Sequence, residues 1–547
     1  MEQMQTLRRL LGKGELFPLR GGDGILRAEG CTREDARAAQ AALLSGGGSV
    51  WDEWEENGSF FSTCLAGGRS WNIAWHARTG VLRIAEGGAD NLAPRQAQDG
   101  SVRPQITQGR LLYYAADCGM LYVIRLADGR FAVIDGGMAE YEEPEHFLEI
   151  LRAQNERGGA PCIAAWFITH AHDDHMNLFV RVCERLYDSL QIEAVCYNWA
   201  ARERYARSSD LTGFERALAL HPEIRQIKPR AGQRFFFPGA RFDILYTHEG
   251  RAPEYLANFN DTSTVMRMES CGRRVMWTGD AMRETADLLC AQYAPETLKC
   301  DLMQVAHHGY SGGSDEFYRA VDPEALLWPC PDFWYYTQSA LECNRYLSQS
   351  PNIRAMYMSG REETVLDLAA LIVPSDPYAR YKGLKPGDVL WDEDFSKPTI
   401  YELLKTAVTG GKTNYKSAAL SLSENGLRMC ADGEHYSVME LMQPGMMADA
   451  PGFTLRLSGR TEKAGVAALF WNYDAPWVYS EEQALDLRLE EGKEFSVELT
   501  ADEKAGEAVY VNGGVVQRMQ YTPAARRGLY LILKGAQIEL TSARVVR

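Results

Sequence analysis

The sequence predicts an α/β protein: two packed sheets flanked by helices in the middle, a small α+β module before them and an all-β sandwich after them. Apolar strand-like runs alternate with helical stretches over residues 106–385. Over 390–547, apolar residues recur mostly at every second position. Two polar segments containing Pro or Gly, 94–107 and 371–392, are typical of linkers. We therefore expect domains at 1–105, 106–385 and 390–547.

The first domain opens with a basic, helix-like segment and continues with Gly-rich turns. Short alternating runs follow, for example at 59–64 and 80–84. This texture is typical of a small α+β or β-rich module. His76 stands alone between Trp75 and Ala77, which favours a core or surface histidine over a metal ligand.

The middle domain is expected to contain a layered arrangement of strands and helices. A hairpin opens it, with Ala127-Asp128-Gly129 at the turn. Helices are expected at 144–154, 177–189 and 283–293. Strands are expected at 121–126, 131–134, 163–169, 193–197, 242–247, 264–268, 274–278, 302–306, 325–328 and 355–358.

The composition restricts the partners and the compartment of the protein. The 547 residues carry a net charge of −16, which disfavours the broad basic surface that an extended nucleic acid requires. No apolar run approaches the roughly 20 residues of a membrane span, and the N-terminal residues lack the apolar core of a signal peptide. The 12 cysteines follow no metal or disulfide pattern. We expect a cytoplasmic protein that binds no membrane; its oligomeric state is left open.

The segment Thr169-His170-Ala171-His172-Asp173-Asp174-His175 is the most informative part of the chain. It directly follows the apolar run 163–168, which indicates a buried strand. Histidines at i, i+2 and i+5 with an acid at i+4 are difficult to explain as an ordinary polar loop. Neutral imidazole and carboxylate are ligands that suit zinc, manganese and iron. The segment therefore predicts a metal site at the end of a strand.

Three further segments place polar residues at the ends of expected strands. They are Asp135-Gly136-Gly137, Thr278-Gly279-Asp280 and His307-His308-Gly309. Sheets hold the backbone while loops at strand ends stay open to solvent, so these segments are expected to converge with the histidine motif.

This mixture of ligands is the one that a two-metal hydrolase needs. Two divalent ions about 3.5–4 Å apart bridge a hydroxide whose parent water has its pKa lowered toward ~7. Asp280 is the candidate for a carboxylate that reaches both ions, and Asp174 is the candidate catalytic residue that orients the hydroxide. Zinc is the expected metal, with manganese and iron as alternatives.

His170-x-His172-x-Asp174-His175 resembles the signature of the metallo-β-lactamase fold, an αββα sandwich of hydrolases. The order of Asp135-Gly-Gly, Thr-Gly-Asp280 and a late histidine is similar to that family. The segments "RRVMWTGD" and "DLMQVAHHGYSGGS" look most like its ComEC-type branch. The resemblance covers roughly residues 110–370.

The resemblance implies a role for each motif residue. One metal would be held by His170, His172 and one of the adjacent pair His307 and His308. The second would be held by Asp174 and His175, with Asp280 between the two metals.

Alternation favours His307 as the ligand of the pair, and His308 is then a catalytic candidate that contacts substrate. Asp135 would orient a ligand from behind. Many family members have another histidine before the bridging acid, and His248 is the candidate here, although the usual Pro-Gly-His context is missing. Asn260, Tyr310 and Ser311 lie next to the motif loops and are candidates for substrate contact.

The last domain is similar to concanavalin-like jelly-roll modules, on its opening "DEDFS" and closing "GLYLILKGAQIELTSARVV". Such folds often bind glycans. The aromatic residues Trp471, Tyr473, Trp477 and Tyr479 have the spacing of a sugar-stacking platform, although core packing is the favoured interpretation.

Three functions are compatible with the sequence. The favoured one is a metal-dependent hydrolase acting through a metal-bridging hydroxide on a phosphodiester or a related small or glycan-linked ester. The basic segment 223–241 supports an anionic substrate, although a solvated face explains its cations equally well: Arg225, Lys228, Arg230, Arg234 and Arg241. The alternatives are a hydrolase of lactones or β-lactams, and a glycan- or surface-binding protein whose metal domain is a scaffold.

Overall fold

The structure is a computed structural model. It describes residues 2–109, 120–137, 143–205, 211–330, 338–339, 341–359, 363–370, 372, 385–395, 415–417, 419–434, 436–442, 452–473, 484–502, 504–521 and 527–547. The chain divides into two compact units. The first comprises Met1–Arg110, Gly119–Pro329 and Leu341–Ser375, and the second contains the described part of Asp376–Arg547. The domain border expected at 105/106 lies inside the first unit and stays a prediction.

The first unit begins with one antiparallel sheet covered by two helices. The helices are α1 (Glu2–Leu11) and α2 (Arg33–Leu44). The strands are β1 (Glu15–Pro18), β2 (Gly24–Ala28), β3 (Ser49–Glu56), β4 (Ser59–Ala66), β5 (Arg69–His76) and β6 (Val81–Gly88), in the order β1-β2-β6-β5-β4-β3. Met4 and Leu7 of α1 and Leu43 of α2 pack with Trp71 in a common core, so this part has the α+β character that the sequence predicted.

Two larger sheets follow, and their strands change from antiparallel to parallel. The first sheet has the order β13-β12-β10-β9-β8-β7-β21, and β11 pairs with β10. Its strands are β7 (Gln105–Gln108), β8 (Leu121–Arg125), β9 (Phe131–Asp135), β10 (Cys162–Phe167), β11 (Gln191–Ile192), β12 (Ala194–Cys196), β13 (Arg225–Ile227) and β21 (Thr364–Asp367).

The second sheet runs in chain order from β14 to β20 and is parallel from β17 onward. Its strands are β14 (Arg234–Phe237), β15 (Ala240–Tyr246), β16 (Val265–Ser270), β17 (Arg273–Trp277), β18 (Leu302–Gln304), β19 (Ala325–Trp328) and β20 (Ala355–Met358). The helices of this part are α3 (Glu143–Gln154), α4 (Asp173–Arg185), α5 (Thr212–Leu220), α6 (Arg283–Gln292), α7 (Pro295–Leu298), α8 (Asp315–Val321) and α9 (Arg345–Gln349).

The two sheets pack face to face through a continuous apolar core. Phe167 of the first sheet contacts Phe235 and Phe242 of the second, with ring centroids 5.4 Å and 5.1 Å apart. The opposite face of the first sheet is covered by α3, α4 and α5. On the second sheet, α6 contacts β15 and α8. This arrangement is the mixed α/β layering expected from alternating strands and helices.

The expected elements occur with shifted ends, and one shift matters for the site. The helix expected from residue 177 begins at Asp173, so Asp174 and His175 lie in its first turn. His172 is the N-cap, and Asp173 and Asp174 place negative charge at the positive end of the helix dipole. Part of the histidine motif is therefore helical and not a loop.

The second unit is built from two antiparallel-dominated sheets. One contains β22 (Val389–Glu393), β24 (Ala419–Leu422), β25 (Leu427–Cys430), β27 (Phe453–Lys463), β30 (Glu494–Asp502), β31 (Glu507–Asn512), β32 (Val515–Gln520) and β34 (Gln537–Val546). The other contains β23 (Tyr415–Ser417), β26 (Tyr436–Met442), β28 (Val466–Tyr473), β29 (Ala484–Asp486) and β33 (Arg527–Lys534). Alternate residues such as Leu455, Leu469 and Leu531 form one core.

The aromatic platform considered for this unit falls where the structure gives no side chains. Trp477 and Tyr479 lie outside the described residues, and so do the side chains of Trp471 and Tyr473. Across the described part of the chain, no helix has the length and apolar character needed to cross a membrane.

We expect Phe242→Ala to lower the free energy of unfolding by about 3–5 kcal/mol, because it removes a large buried side chain from the contact between the two sheets. Urea unfolding followed by tryptophan fluorescence measures this change. Tyr255→Ala is the control, since Tyr255 is 58% exposed and its loss is expected to cost less than about 0.5 kcal/mol. A loss of less than about 1 kcal/mol for Phe242→Ala would contradict the packing of the two sheets through this side chain.

Candidate metal centre

Four chain segments meet where strands of the two sheets end. Asp135 is the last residue of β9, and residues 169–175 follow β10. Asp280 follows β17, and the turn Ala306–Gly309 follows β18. β9 and β10 are parallel neighbours, as are β17 and β18, so in each sheet the two segments leave from the same edge.

Five of the expected ligands, together with His308, fall into two groups that share one residue. In each group, one donor atom from every residue lies within 4.8 Å of all the others. We call them the four-donor group (Asp174, His175, Asp280 and His308) and the three-donor group (His170, His172 and Asp280). Each combines imidazole with carboxylate, the donor set that first-row divalent cations accept.

Asp280 lies between the two groups and turns one oxygen toward each. Its Oδ1 is 3.3 Å from His175 Nε2 and 3.5 Å from His308 Nε2. Its Oδ2 is 3.7 Å from His170 Nε2 and 3.9 Å from His307 Nε2. A carboxylate with its two oxygens divided in this way is suited to bridging two cations.

Asp135 lies behind the groups and is completely buried. Its Oδ2 accepts hydrogen bonds from His175 Nδ1 at 2.9 Å and Thr169 Oγ1 at 2.8 Å, and its Oδ1 accepts from the Thr169 backbone N–H at 2.8 Å. Asp135 has a φ of 54°, a left-handed conformation that is strained for a residue other than glycine. These contacts turn His175 Nε2 toward the centre, which is the orienting role expected of a carboxylate behind a ligand.

The positions of His307 and His308 differ from the prediction that His307 is the metal ligand of the pair. Ala306–Gly309 is a turn in which His307 and His308 have φ values of 50° and 53°, so the strand alternation that favoured His307 does not continue there. His308 Nδ1 donates to the Pro329 carbonyl at 3.0 Å, which directs Nε2 to within 3.1 Å of Asp174 Oδ2. His308 therefore joins Asp174 and His175, whereas His307 lies partly exposed beside Asp280.

In the four-donor group, the carboxylates raise the pKa values of the histidines and the histidines lower those of the carboxylates. Burial lowers the pKa of His175, but Asp280, Asp174 and Asp135 outweigh burial and raise that pKa well above its ordinary value. The same balance raises the pKa of His308. Burial raises the pKa of Asp280, but the neighbouring histidines prevail and hold it well below its ordinary value, and Asp174 is shifted in the same direction. Both carboxylates are thus ionised at neutral pH.

The histidines of the three-donor group are neutral. Burial lowers the pKa of His170 well below its ordinary value and also lowers the pKa values of His172 and His307. His170 Nε2 and His172 Nδ1 are 2.9 Å apart, while His170 Nδ1 contacts Thr169 Oγ1 at 3.2 Å. Neutral imidazole is the form that binds a metal ion, so this group is prepared for one.

His248 does not join either group. Its Nε2 lies 3.2 Å from Asn198 Oδ1, and its Nδ1 lies 3.1 Å from a guanidinium nitrogen of Arg204. Arg204 is a permanent donor, so His248 Nδ1 must accept and Nε2 must donate to Asn198. Burial, and then the charges of Arg204, Lys228 and Arg230, lower the pKa of His248 well below its ordinary value. Both ring nitrogens of His248, the further histidine candidate, are thus occupied outside the two groups.

The three expected substrate-contact residues lie in two separate segments near the donor groups. The ring of Tyr310 is 5.8 Å from that of His307 and 6.3 Å from that of His308. Ser311 is exposed next to it. Asn260 is buried in the turn Phe259–Thr262, and its Oδ1 makes no hydrogen bond. Tyr310 therefore lies beside the late histidines and Asn260 lies in the turn that follows Asn258, and all three residues stay predicted substrate contacts.

Two residues that sequence reasoning missed belong to the same surroundings. The Phe259 ring packs 4.9 Å from the His172 ring, and Ser263 Oγ accepts the Asp280 backbone N–H at 3.1 Å. Both lie in the segment that contains Asn260, but neither is part of a recognisable motif. A buried phenylalanine or serine gives no signal in a single sequence.

The cations of the basic segment form ion pairs and hydrogen bonds with other residues of the protein. Arg230 and Lys228 pair with Asp23 at 3.0 Å and 2.8 Å. Arg234 pairs with Asp52 at 2.7 Å. Arg225 donates to the carbonyls of residues 90 and 92, and Arg241 pairs with residues 243 and 269. These cations do not form the free anion-binding surface that the sequence suggested.

The donor set fits a pair of divalent cations. His175 Nε2, His308 Nε2 and Asp280 Oδ1 are buried and make no hydrogen bond with protein atoms. Orphaned polar atoms are costly in a protein interior, and three of them converging on one point are explained by a bound cation. The geometry can therefore hold one cation in each group, with Asp280 shared.

Comparison with known proteins gives a limited result. No family model matches the chain, and no curated protein matches it. Among solved structures, the metallo-β-lactamase fold protein YhfI from Bacillus subtilis is 13% identical, with a TM-score of 0.31, and the alignment covers 48% of this chain and 99% of that one.

Two further solved structures are similar to part of the chain. CmlA, a diiron β-hydroxylase from Streptomyces venezuelae, is 12% identical with a TM-score of 0.30, covering 50% of this chain and 55% of that one. The carbohydrate-binding module CBM66 from Bacillus subtilis is 8% identical with a TM-score of 0.19, covering 24% and 92%. Similarities this low assign neither a family nor an activity. The function must therefore be inferred from the side chains of the candidate metal centre.

We expect Asp135→Asn to weaken metal binding by about 10–100-fold, because the amide cannot accept from both Thr169 and His175 as the carboxylate does. Competition with a chromophoric chelator, using zinc as the probe, measures the dissociation constant. Asp52→Asn is the control, since Asp52 is also buried but pairs with Arg234 away from the two groups. Unchanged zinc affinity in a folded Asp135→Asn variant would contradict the orienting role.

Proposed function

We propose that the protein is a metal-dependent hydrolase with a two-ion centre formed by the four-donor and three-donor groups. The observation that carries the proposal is the position of Asp280, whose two oxygens face different sets of histidines. When bound, two divalent ions would supply Lewis acidity and an activated water as the nucleophile. Zinc is the expected ion, with manganese or iron as alternatives for the same donors.

The residues of the chain have distinct tasks in this proposal. Asp174 and His175 hold one ion together with His308, and His170 and His172 hold the other. Asp174, which is only half-buried at the edge of its group, is also placed to accept a proton from the attacking water. Asp135 keeps His175 in the required tautomer.

The two ion positions are unequal. The four-donor group brings two carboxylates and two imidazoles, whereas the three-donor group brings two imidazoles and a share of Asp280. His248, the further histidine candidate, is held by Asn198 and Arg204 and joins neither group. His307, with Nε2 at 3.9 Å from Asp280 Oδ2, is the nearest remaining imidazole and is proposed as its additional ligand. The four-donor position should therefore bind its ion more tightly.

A small anionic ester is the proposed substrate class. Two divalent ions would bring four positive charges against the two carboxylates of the groups, and the resulting positive centre attracts a phosphodiester. The net charge of −16 opposes binding of a long nucleic acid, and the basic segment is already paired inside the protein. Tyr310, Asn260 and Ser311 remain the proposed contacts for such a substrate.

The alternative functions have less support from the geometry. A lactone or β-lactam carbonyl is open to attack by the same nucleophile, but a neutral carbonyl gains less from the positive centre than a phosphodiester does. A glycan-binding role with the metal region as scaffold leaves the orphaned donors of Asp280, His175 and His308 without a purpose. A glycan-linked substrate stays a proposal. It would require that the second unit binds the glycan.

We expect Asp174→Ala to lower the hydrolysis rate of bis-p-nitrophenyl phosphate by about 10²–10⁴-fold, because it removes a metal ligand and the proton acceptor. Release of p-nitrophenolate measures the rate. Asp173→Ala is the matched control: it lies in the same helical turn, is exposed and belongs to neither group, so its rate should stay within about 2-fold. Full activity in folded Asp174→Ala, or activity that survives chelation, would refute the proposed mechanism.

A further inference from the structure

Gln304 is a polar residue in an otherwise apolar strand. It is the last residue of β18 and is 1% exposed, three positions before His307. Its neighbours Met303 and Val305 are completely buried apolar residues. A buried carboxamide is stable only when its donors and acceptor find partners, so its contacts show what it does.

The carboxamide of Gln304 is fully used by the segment that precedes Asp280. Its Oε1 accepts the Thr278 backbone N–H at 2.8 Å and lies 2.9 Å from Thr278 Oγ1. Its Nε2 donates to the Gly279 carbonyl at 3.0 Å and to the Val305 carbonyl at 2.6 Å. Both amide protons are used and Oε1 accepts the Thr278 N–H, so Gln304 is committed to these neighbours.

These contacts begin where the backbone pairing of the two strands stops. β17 and β18 are paired through Val275–Leu302 and Met276–Met303. Beyond that register the Gln304 side chain bonds the Thr278 N–H and the Gly279 carbonyl in place of another strand. The Gly279 carbonyl also accepts the His307 backbone N–H at 3.1 Å. One carbonyl thus joins the segment carrying Asp280 to the segment carrying the two late histidines.

Gly279 lies closely against the histidine motif and leaves no room for a side chain. Its φ is +52°, and a Cβ there would lie 2.7 Å from Thr169 Oγ1 in the histidine motif. A shift of this peptide would move Asp280 against His170 and His175, whose nitrogens lie 3.7 Å and 3.3 Å from its oxygens. Without the Gln304 amide, the Thr278 N–H would lose its partner and the Gly279 carbonyl would lose one of its donors.

We infer that Gln304 is a positioning residue that sets the spacing between Asp280 and the His307–His308 turn, and through it the affinity and geometry of the metal centre. The inference rests on the proposed function for its effect on turnover. Its effect on metal binding stands independently of any substrate.

The test compares Gln304→Met with the intact chain, since methionine keeps the length and shape of the side chain but makes no comparable hydrogen bond. Cobalt(II) is the probe because its visible absorption reports both binding and ligand geometry. We expect the cobalt dissociation constant to increase by about 10–100-fold and the visible spectrum to change. With bis-p-nitrophenyl phosphate at saturating cobalt, we expect kcat to fall more than KM changes.

Gln108→Met is the matched control, because Gln108 is also 1% exposed and its Nε2 donates to the Tyr357 carbonyl on a strand away from both groups. It should lose stability without changing the cobalt spectrum. If Gln304→Met does not fold, Gln304→Glu replaces it: the carboxylate keeps the acceptor for Thr278 and loses the donors to Gly279 and Val305, and the same spectral change is expected.

The outcomes separate the two claims. A folded Gln304 variant with the cobalt affinity and spectrum of the intact chain overturns the positioning role. Cobalt binding by the intact chain without any hydrolysis overturns the proposed function, while a changed spectrum in Gln304→Met still supports the positioning role. Failure of the intact chain to bind cobalt overturns both.

Discussion

Burying the carboxylate of Asp280 costs free energy unless cations or donors surround it, and the centre is organised around that constraint. His175 and His308 face one oxygen, and His170 and His307 face the other. In the absence of a metal, raised pKa values let His175 and His308 hold protons near the carboxylates. A divalent ion would satisfy the same charges more completely, because the protons it replaces lie beside the carboxylates without well-formed hydrogen bonds.

The surrounding fold keeps these groups in place through backbone contacts more than through further side-chain charge. Asp135, at the end of β9, holds Thr169 and His175; Ser263 and Gln304 hold the peptide around Asp280; the Pro329 carbonyl holds His308. The N-terminal sheet contributes indirectly. Arg83 donates to the Gly250 carbonyl, next to the turn in which His248 is turned away from the centre. In the proposed two-ion centre, the inequality of the two positions would follow from this packing.

Much of the architecture could be predicted because it depends on periodicity. The apolar runs that become β9, β10, β17 and β18 can be recognised in the sequence. A ligand motif that directly follows a buried strand must lie where that strand ends. The start of α4 at Asp173 was missed because helix ends depend on capping and dipole effects that compete with loop formation.

The finer assignments needed tertiary contacts that no single sequence displays. Choosing between His307 and His308 required the left-handed turn and the Pro329 carbonyl. Excluding His248 required its contact with Arg204, a residue 44 positions earlier. The basic segment looked free because its partners, such as Asp23 and Asp52, lie about 200 positions away in the chain. Gln304 gave one usable signal, a polar side chain inside an apolar strand.

The most direct test of the two-ion account is anomalous X-ray diffraction from crystals grown with a limiting and then an excess amount of zinc. The account predicts that the first zinc peak lies among Asp174, His175, Asp280 and His308, and that a second peak appears beside His170 and His172 only with excess zinc. Peaks of equal height under limiting zinc would contradict the inequality of the positions. Absence of any peak at both groups in excess zinc would contradict the metal centre itself.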